Sequence, residues 1–259
     1  MIRRDDGHDW LLIPQVQHAH LAADIAAVWR NDLVSPLLLA EQLISAIRHH
    51  DDGWAEWEQS PQIDPETGIP REFTEMPMSI ATKIWTRSID ECREPAPLPG
   101  IWVSKHFCWL AEQAREIRPH IRDDLAAIDE FLAEQRTTHR LWREVLEAEI
   151  PTSEAELLMK IGFRFLQFFD RLSLWLCCAE RQDVWKVRAK NFGELTFTPT
   201  QNGVLTIDPF PLSVDRLKLS VTSRRIPQQQ FAGDEEFRHA LRNAKQETLT
   251  WTLKRSSTM

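Results

Sequence analysis

Apolar residues recur along most of this chain at three- and four-residue spacing, a period that predicts helices. From about Gln15 to Arg30, the positions Val16, Ala19, Ala22, Ala26 and Trp29 keep it. Leu39, Leu43 and Ile47 carry it through a second helix. Ser35-Pro36 introduces that helix as N-cap and first-turn proline, and Gly53 marks its end. Further helices are predicted at about 78–92, 99–117, 119–149 and 152–181, with a break in the third of these near Thr137-Thr138. Ahead of the first helix, Asp9 to Ile13 reads as a short strand before Pro14. Residues 55–77 keep no period and contain Pro61, Asp64-Pro65, Gly68, Pro70 and Pro77. They predict a long ordered loop, a candidate lid or pocket wall.

Near residue 190 the pattern changes to alternation. Phe192–Pro199, Val204–Ile207, Leu217–Val221 and Glu247–Lys254 read as strands, and Gln201-Asn202-Gly203 as a turn. A short helix is predicted at 234–245. The expectation is a mainly α protein in two parts. Residues 1–190 form a helical domain with a lid-like loop at 55–77. Residues 191–259 form a small β-rich extension packed on it, an antiparallel sheet that the N-terminal strand can join.

Composition narrows this picture. The 259 residues are 42% hydrophobic, which supports a packed core. Only 8 are glycine, which suits helices. The net charge of −8 argues against a broad basic face for nucleic acid, though a bound cation can still reverse the local field for a small anion. The chain shows no secretory leader and no apolar run long enough to span a membrane, so a cytoplasmic protein is expected. Cys92, Cys108, Cys177 and Cys178 form no CxxC pair and read as reduced thiols.

The candidate chemistry starts at His49-His50-Asp51-Asp52-Gly53-Trp54. Ile47, His50, Asp51 and Trp54 are spaced i, i+3, i+4 and i+7, and Leu43 and Ile47 identify that face as buried. A buried carboxylate needs a cation, a hydrogen-bond network or a metal. Histidine and aspartate together offer mixed nitrogen and oxygen ligation, suited to manganese, iron, nickel, cobalt or zinc. Asp170 interrupts the apolar segment Phe163–Trp175 and needs a partner too, either a nearby arginine such as Arg171 or a metal. His18 lies 32 residues before His50, an interval that two antiparallel helices and a turn can fill. By itself it reads as a capping or solvated histidine.

His18, then His50-Asp51, then Asp170 resembles the ligand order of the HD-domain superfamily of metal-dependent phosphohydrolases. A closer resemblance is to the domain-of-unknown-function family 3891. It is carried by His50–Trp54, by Asp64–Pro70 with Phe73 and Glu75-Met76-Pro77, and by Phe169–Leu174, and it extends over nearly the whole chain. The superfamily resemblance implies an HD-domain-like helical bundle and a metal held by His18, His50, Asp51 and Asp170, with one or two ions. It also implies further histidines near the substrate. His106, which shares a helical face with Trp102 and Trp109, is the candidate, while His120 and His139 fit less well. Lys105 can hold an anion or be a surface lysine. Asp52 can serve as general base or cap a helix end.

Three functions follow as expectations. The first is hydrolysis of a phosphate ester or nucleotide-like small molecule, with Asp52, His106 and Lys105 as catalytic or anion-binding groups. The second is oxygen chemistry at two irons. The third is a non-catalytic metal- or ligand-binding module. A homo-oligomer is compatible with each.

Overall fold

A computed structural model describes residues 1–30, 37–93, 96–178, 183–189, 193–201 and 203–256. Ser35-Pro36, Phe192 and Asn202, read above as a helix start, a strand start and part of a turn, lie outside these residues. So do residues 179–181 at the end of the last long predicted helix.

The helices are α1 (Gln15–Ala27), α2 (Leu37–His49), α3 (Trp54–Gln59), α4 (Met78–Cys92), α5 (Pro97–Ile117), α6 (Arg122–Glu149), α7 (Thr152–Cys178) and α8 (Asp234–Asn243). The strands are β1 (Ile2–Asp5), β2 (Asp9–Ile13), β3 (Trp185–Ala189), β4 (Gly193–Pro199), β5 (Val204–Asp208), β6 (Arg216–Pro227) and β7 (Lys245–Arg255).

All seven strands join one sheet in the order β1-β2-β6-β7-β5-β4-β3. Its neighbours are antiparallel except β5 and β7, which run parallel, with Leu205 opposite Leu253. This overturns the expected fold class, a mainly α HD-like bundle with a small antiparallel C-terminal sheet. The chain combines helices with a seven-stranded mixed sheet. Strands from both ends of the chain build that sheet, because β2 pairs with β6 through Trp10–Ile226 and Leu12–Arg224.

The run Trp10–Ile13 is buried without interruption because both faces of β2 are covered. Ile13 joins the large core shared by the helices and the inner sheet face, with Phe169, Phe197 and Leu253. Trp10 and Leu12 point the other way, into a smaller core with Ile226, Phe231 and Phe237. In the helical layer α1 packs on α2 and α7, and α5 packs on α4, α6 and α7. Among the described residues, no helix is long and apolar enough to cross a membrane.

Two local expectations also change. Helix α6 is continuous through Thr137-Thr138, whose hydroxyls donate to the carbonyls of Ala133 and Glu134 one turn back. The segment 55–77 is not irregular throughout, since it holds most of α3 and a 3-10 turn at Phe73–Glu75. Within it Asp64 accepts hydrogen bonds from the amides of Glu66 and Thr67, shaping a turn.

Candidate metal centre

Five side chains meet where α1, α2, α5 and α7 pack together. His18 comes from α1, His50 and Asp51 from the turn that follows α2, His106 from α5 and Asp170 from α7. Each is at most 7% exposed. They form two overlapping groups, His18-His50-Asp51 and His50-His106-Asp170, and in each the candidate ligand atoms lie within 4.8 Å of one another. The buried groups therefore have the composition and closeness to hold a metal ion.

Gly53 fixes the turn that presents His50 and Asp51. It does not end α2 by adopting a left-handed conformation, because its φ of −58° is helical. Glycine is required there for close approach: a Cβ would stand 2.2 Å from the carbonyl oxygen of Ile84 and 2.7 Å from the amide nitrogen of Ser88. The Gly53 amide also donates to Ser88 Oγ at 3.0 Å, which pins the turn to α4.

Ser173 Oγ donates to the Asp170 carbonyl at 2.9 Å, so it accepts from His18 Nδ1 at 3.0 Å. His18 Nε2 then turns a lone pair toward Asp51 Oδ2, 2.7 Å away. His50 is arranged alike. Its Nδ1 donates to the Ile47 carbonyl at 2.7 Å, leaving Nε2 facing Asp170 Oδ1 at 3.4 Å and Asp51 Oδ2 at 3.7 Å. With both outer nitrogens donating, the two inner imidazole nitrogens and the two carboxylates face one another, an arrangement that only protons or a cation can satisfy. The backbone and hydroxyl partners on the outer nitrogens are the kind that hold metal-ligating imidazoles in one tautomer. His106 Nε2 lies 3.9 Å from Asp170 Oδ2, and His106 Nδ1 finds no hydrogen-bond partner among the described residues.

The electrostatics agree. Burial opposes the charged form of His50, but the Asp51 charge and the Asp170 hydrogen bond outweigh it and raise its pKa to about 9. Burial likewise opposes ionisation of Asp170, yet the His50 hydrogen bond and the neighbouring histidines hold it down at about 2. Asp51 is also lowered, against its burial, by His50 and His18. At His106 burial wins and lowers the pKa to about 4, so this imidazole is neutral. In the protein alone, two buried carboxylates are ionised and draw positive charge to the centre.

The centre opens onto a cavity of about 230 Å³. Its walls are mostly apolar, with Trp54, Phe73, Met76, Trp85, Phe107 and Leu110. Arg118 also lines it but is committed to Asp124 and to the carbonyls of Met76 and Thr74. Gln15 adds a buried Oε1 with no hydrogen-bond partner among the described residues.

Two expected catalytic residues stand apart from this cavity. Asp52 Oδ2 accepts from His49 Nδ1 at 2.6 Å on the solvent side of the turn. Lys105 is absent from the cavity wall and acts electrostatically on Cys108 and His139. The face expected to join Trp102, His106 and Trp109 divides: the first two are buried, whereas Trp109 is 39% exposed. His139 bonds Ser104 Oγ at 2.8 Å and His120 is exposed. Sequence reasoning missed Ser173 and Gln15. Ser173 had a signal, standing three residues after Asp170 and so on the same helical face.

The family model described as "Protein of unknown function (DUF3891)" matches residues 1–228, and the chain belongs to that family. Neither the curated proteins nor the solved structures yield a match.

Proposed function

We propose that this protein is a metal-dependent hydrolase with a centre of the HD type, acting on a phosphate ester of a small, largely apolar molecule. The observation that carries the proposal is the convergence of His18, His50, Asp51 and Asp170 with their lone pairs turned inward. These four would hold the ion, and mixed nitrogen and oxygen donors suit manganese, iron, nickel, cobalt or zinc. When bound, such an ion supplies Lewis acidity toward a phosphoryl oxygen and water.

The chain's own residues do the rest. Ser173 and the Ile47 carbonyl hold the two imidazoles in register. The aromatic walls exclude water and accept the apolar part of the substrate. His106 Nδ1 and Gln15 Oε1, both buried and unpartnered among the described residues, are placed to hydrogen-bond its polar end. Asp52 and Lys105 have no role in this scheme. Metal content measured by mass spectrometry, beside Asp51→Ala and Asp170→Ala, tests it. One or two equivalents in the parent, lost in both folded variants together with phosphatase turnover, is the expected result. Full metal and turnover in both variants would overturn it.

A second function, oxidation of an apolar substrate at two irons, is favoured by the overlapping group His50-His106-Asp170 and by the apolar cavity. Iron as the native metal, with absorbance that responds to oxygen, would select it. A metal-loaded protein inert toward both substrate classes would instead indicate a binding module.

A further inference from the structure

A second cavity, of about 440 Å³, lies on another side of α7. Among the described residues it shares no lining residue with the cavity of the metal centre. Ile161, Arg164, Phe165, Phe168 and Arg171 form one of its walls at helical spacing. Facing them are Trp29, just past the end of α1, Trp109 of α5, and Trp185 and Arg188 of β3.

Two features set this cavity apart from ordinary surface. The first is charge. Arg164, Arg171 and Arg188 are exposed, and none of them makes an ion pair with a carboxylate among the described residues. Among the described residues no acidic side chain lines the cavity, although the chain as a whole carries −8. The second is the aromatic wall. Phe168 packs edge-on against Trp29 at 5.1 Å and lies nearly parallel to Trp185 at 6.4 Å. Trp175 stacks behind Trp185 at 5.5 Å, which holds that ring in place. Trp109, at 39% exposure, keeps much of its indole in water at the edge.

We infer that this cavity is a binding site for a planar aromatic molecule carrying a phosphate-type anion, separate from the metal centre. Guanidinium groups present paired N–H donors that match phosphate oxygens, and arginines with no ion pair among the described residues need not break one there to do so. Fixed indole and phenyl rings offer faces for stacking at little cost in side-chain freedom. The volume fits a ligand of nucleoside monophosphate size.

The test is a titration of the full chain with adenosine 5′-monophosphate, followed by tryptophan fluorescence and calorimetry. Adenosine and inorganic phosphate serve as partial probes. Saturable binding is expected, with each partial probe at least about tenfold weaker, because stacking and charge each contribute on the order of a tenfold factor. Arg171→Gln and Trp109→Ala each change an exposed residue and should weaken binding by about tenfold while circular dichroism stays unchanged. Chelator treatment should leave the affinity as it was. The inference fails if no saturation is reached at millimolar concentrations, or if both variants bind like the parent. It fails equally if chelator abolishes binding, which would place the ligand at the metal centre. Sedimentation showing self-association that Trp109→Ala removes would assign the cavity to a second copy of the chain and overturn the small-molecule site.

Discussion

His18 is held at both nitrogens, and the two partners have different jobs. Asp51 shares the space a cation would occupy, whereas Ser173 lies outside it and sets which nitrogen carries the proton. Removing the Ser173 hydroxyl should therefore separate metal affinity from folding. Ser173→Ala is expected to weaken metal binding by about 10–100-fold, the usual effect of losing an outer partner of a ligating histidine. Its cost in stability should be only about 1–3 kcal/mol, from the unpaired His18 Nδ1. Competition with a chromophoric chelator, beside a thermal melt, measures both quantities. Unchanged affinity would show that His18 is oriented by packing instead. At this scale the doublet His50-Asp51 was legible because two ionisable residues fall on a face already marked apolar by Leu43 and Ile47. Asp170 was legible as a carboxylate inside an apolar helix. Ser173 was legible only as a neighbour of Asp170 on one helical face, since its role as the outer partner of His18 depends on a side chain 155 positions away.

Between elements, close approach and borrowed caps decide the packing. Helices α5 and α7 meet at Gly162, where a Cβ would stand 2.1 Å from the indole of Trp102, and Trp102 Nε1 donates to the Leu158 carbonyl at 3.0 Å. Gly162→Ala cannot be absorbed by a flexible chain end, because Trp102 is 1% exposed. It should cost about 1–3 kcal/mol or more, as overpacking does in rigid cores, despite the better helix propensity of alanine. Denaturant unfolding reads this directly, and an unchanged or raised midpoint would contradict the packing described. Helix α4 has no side-chain cap of its own after Pro77. Its first amide, at Met78, donates instead to buried Asp124 of α6 at 2.8 Å. Asp124→Ala should thus cost about 1–3 kcal/mol by leaving that amide without its partner and Arg118 without its carboxylate. An effect within a few tenths would show that water replaces the carboxylate. The helices were readable from their period. Much of the sheet was not: β1 reads Ile-Arg-Arg-Asp, with a single apolar residue, and lacks any alternation of its own. The parallel pairing of β5 with β7 is likewise set by residues almost fifty positions apart, such as Leu205 and Leu253.

Across the whole molecule, the sheet ties the two ends of the chain together, and Arg225 is a fastener in that tie. It stands on β6 opposite Leu11 of β2 and Lys245 of β7. Its guanidinium reaches Asp6 at 2.7 Å, Asp9 at 3.1 Å and Glu247 at 3.0 Å, so one cation bridges segments from both ends. Its partners hold the Glu247 carboxyl below its ordinary value of 4.5, through the Arg225 hydrogen bond first and Lys245 next. A carboxylate whose folded pKa is depressed contributes stability that is complete above its unfolded pKa and is lost as pH falls through the folded one. The site is open to solvent, so screening keeps the contribution small. Arg225→Met should cost about 1 kcal/mol near neutral pH, the upper range for exposed ion pairs and consistent with a three-carboxylate cluster. In a chain of this length that is a drop in melting temperature of about 2–4 °C. The difference between parent and variant should persist down to pH 4.5, shrink below it, and shrink also in about 1 M salt, where charges more than about 3 Å apart are screened. Melting curves of the two proteins across that pH range decide the matter. A gap that stays constant with both pH and salt would assign Arg225 to packing of its aliphatic stem between β2 and β7, and would remove charge from the account of how the two ends are joined.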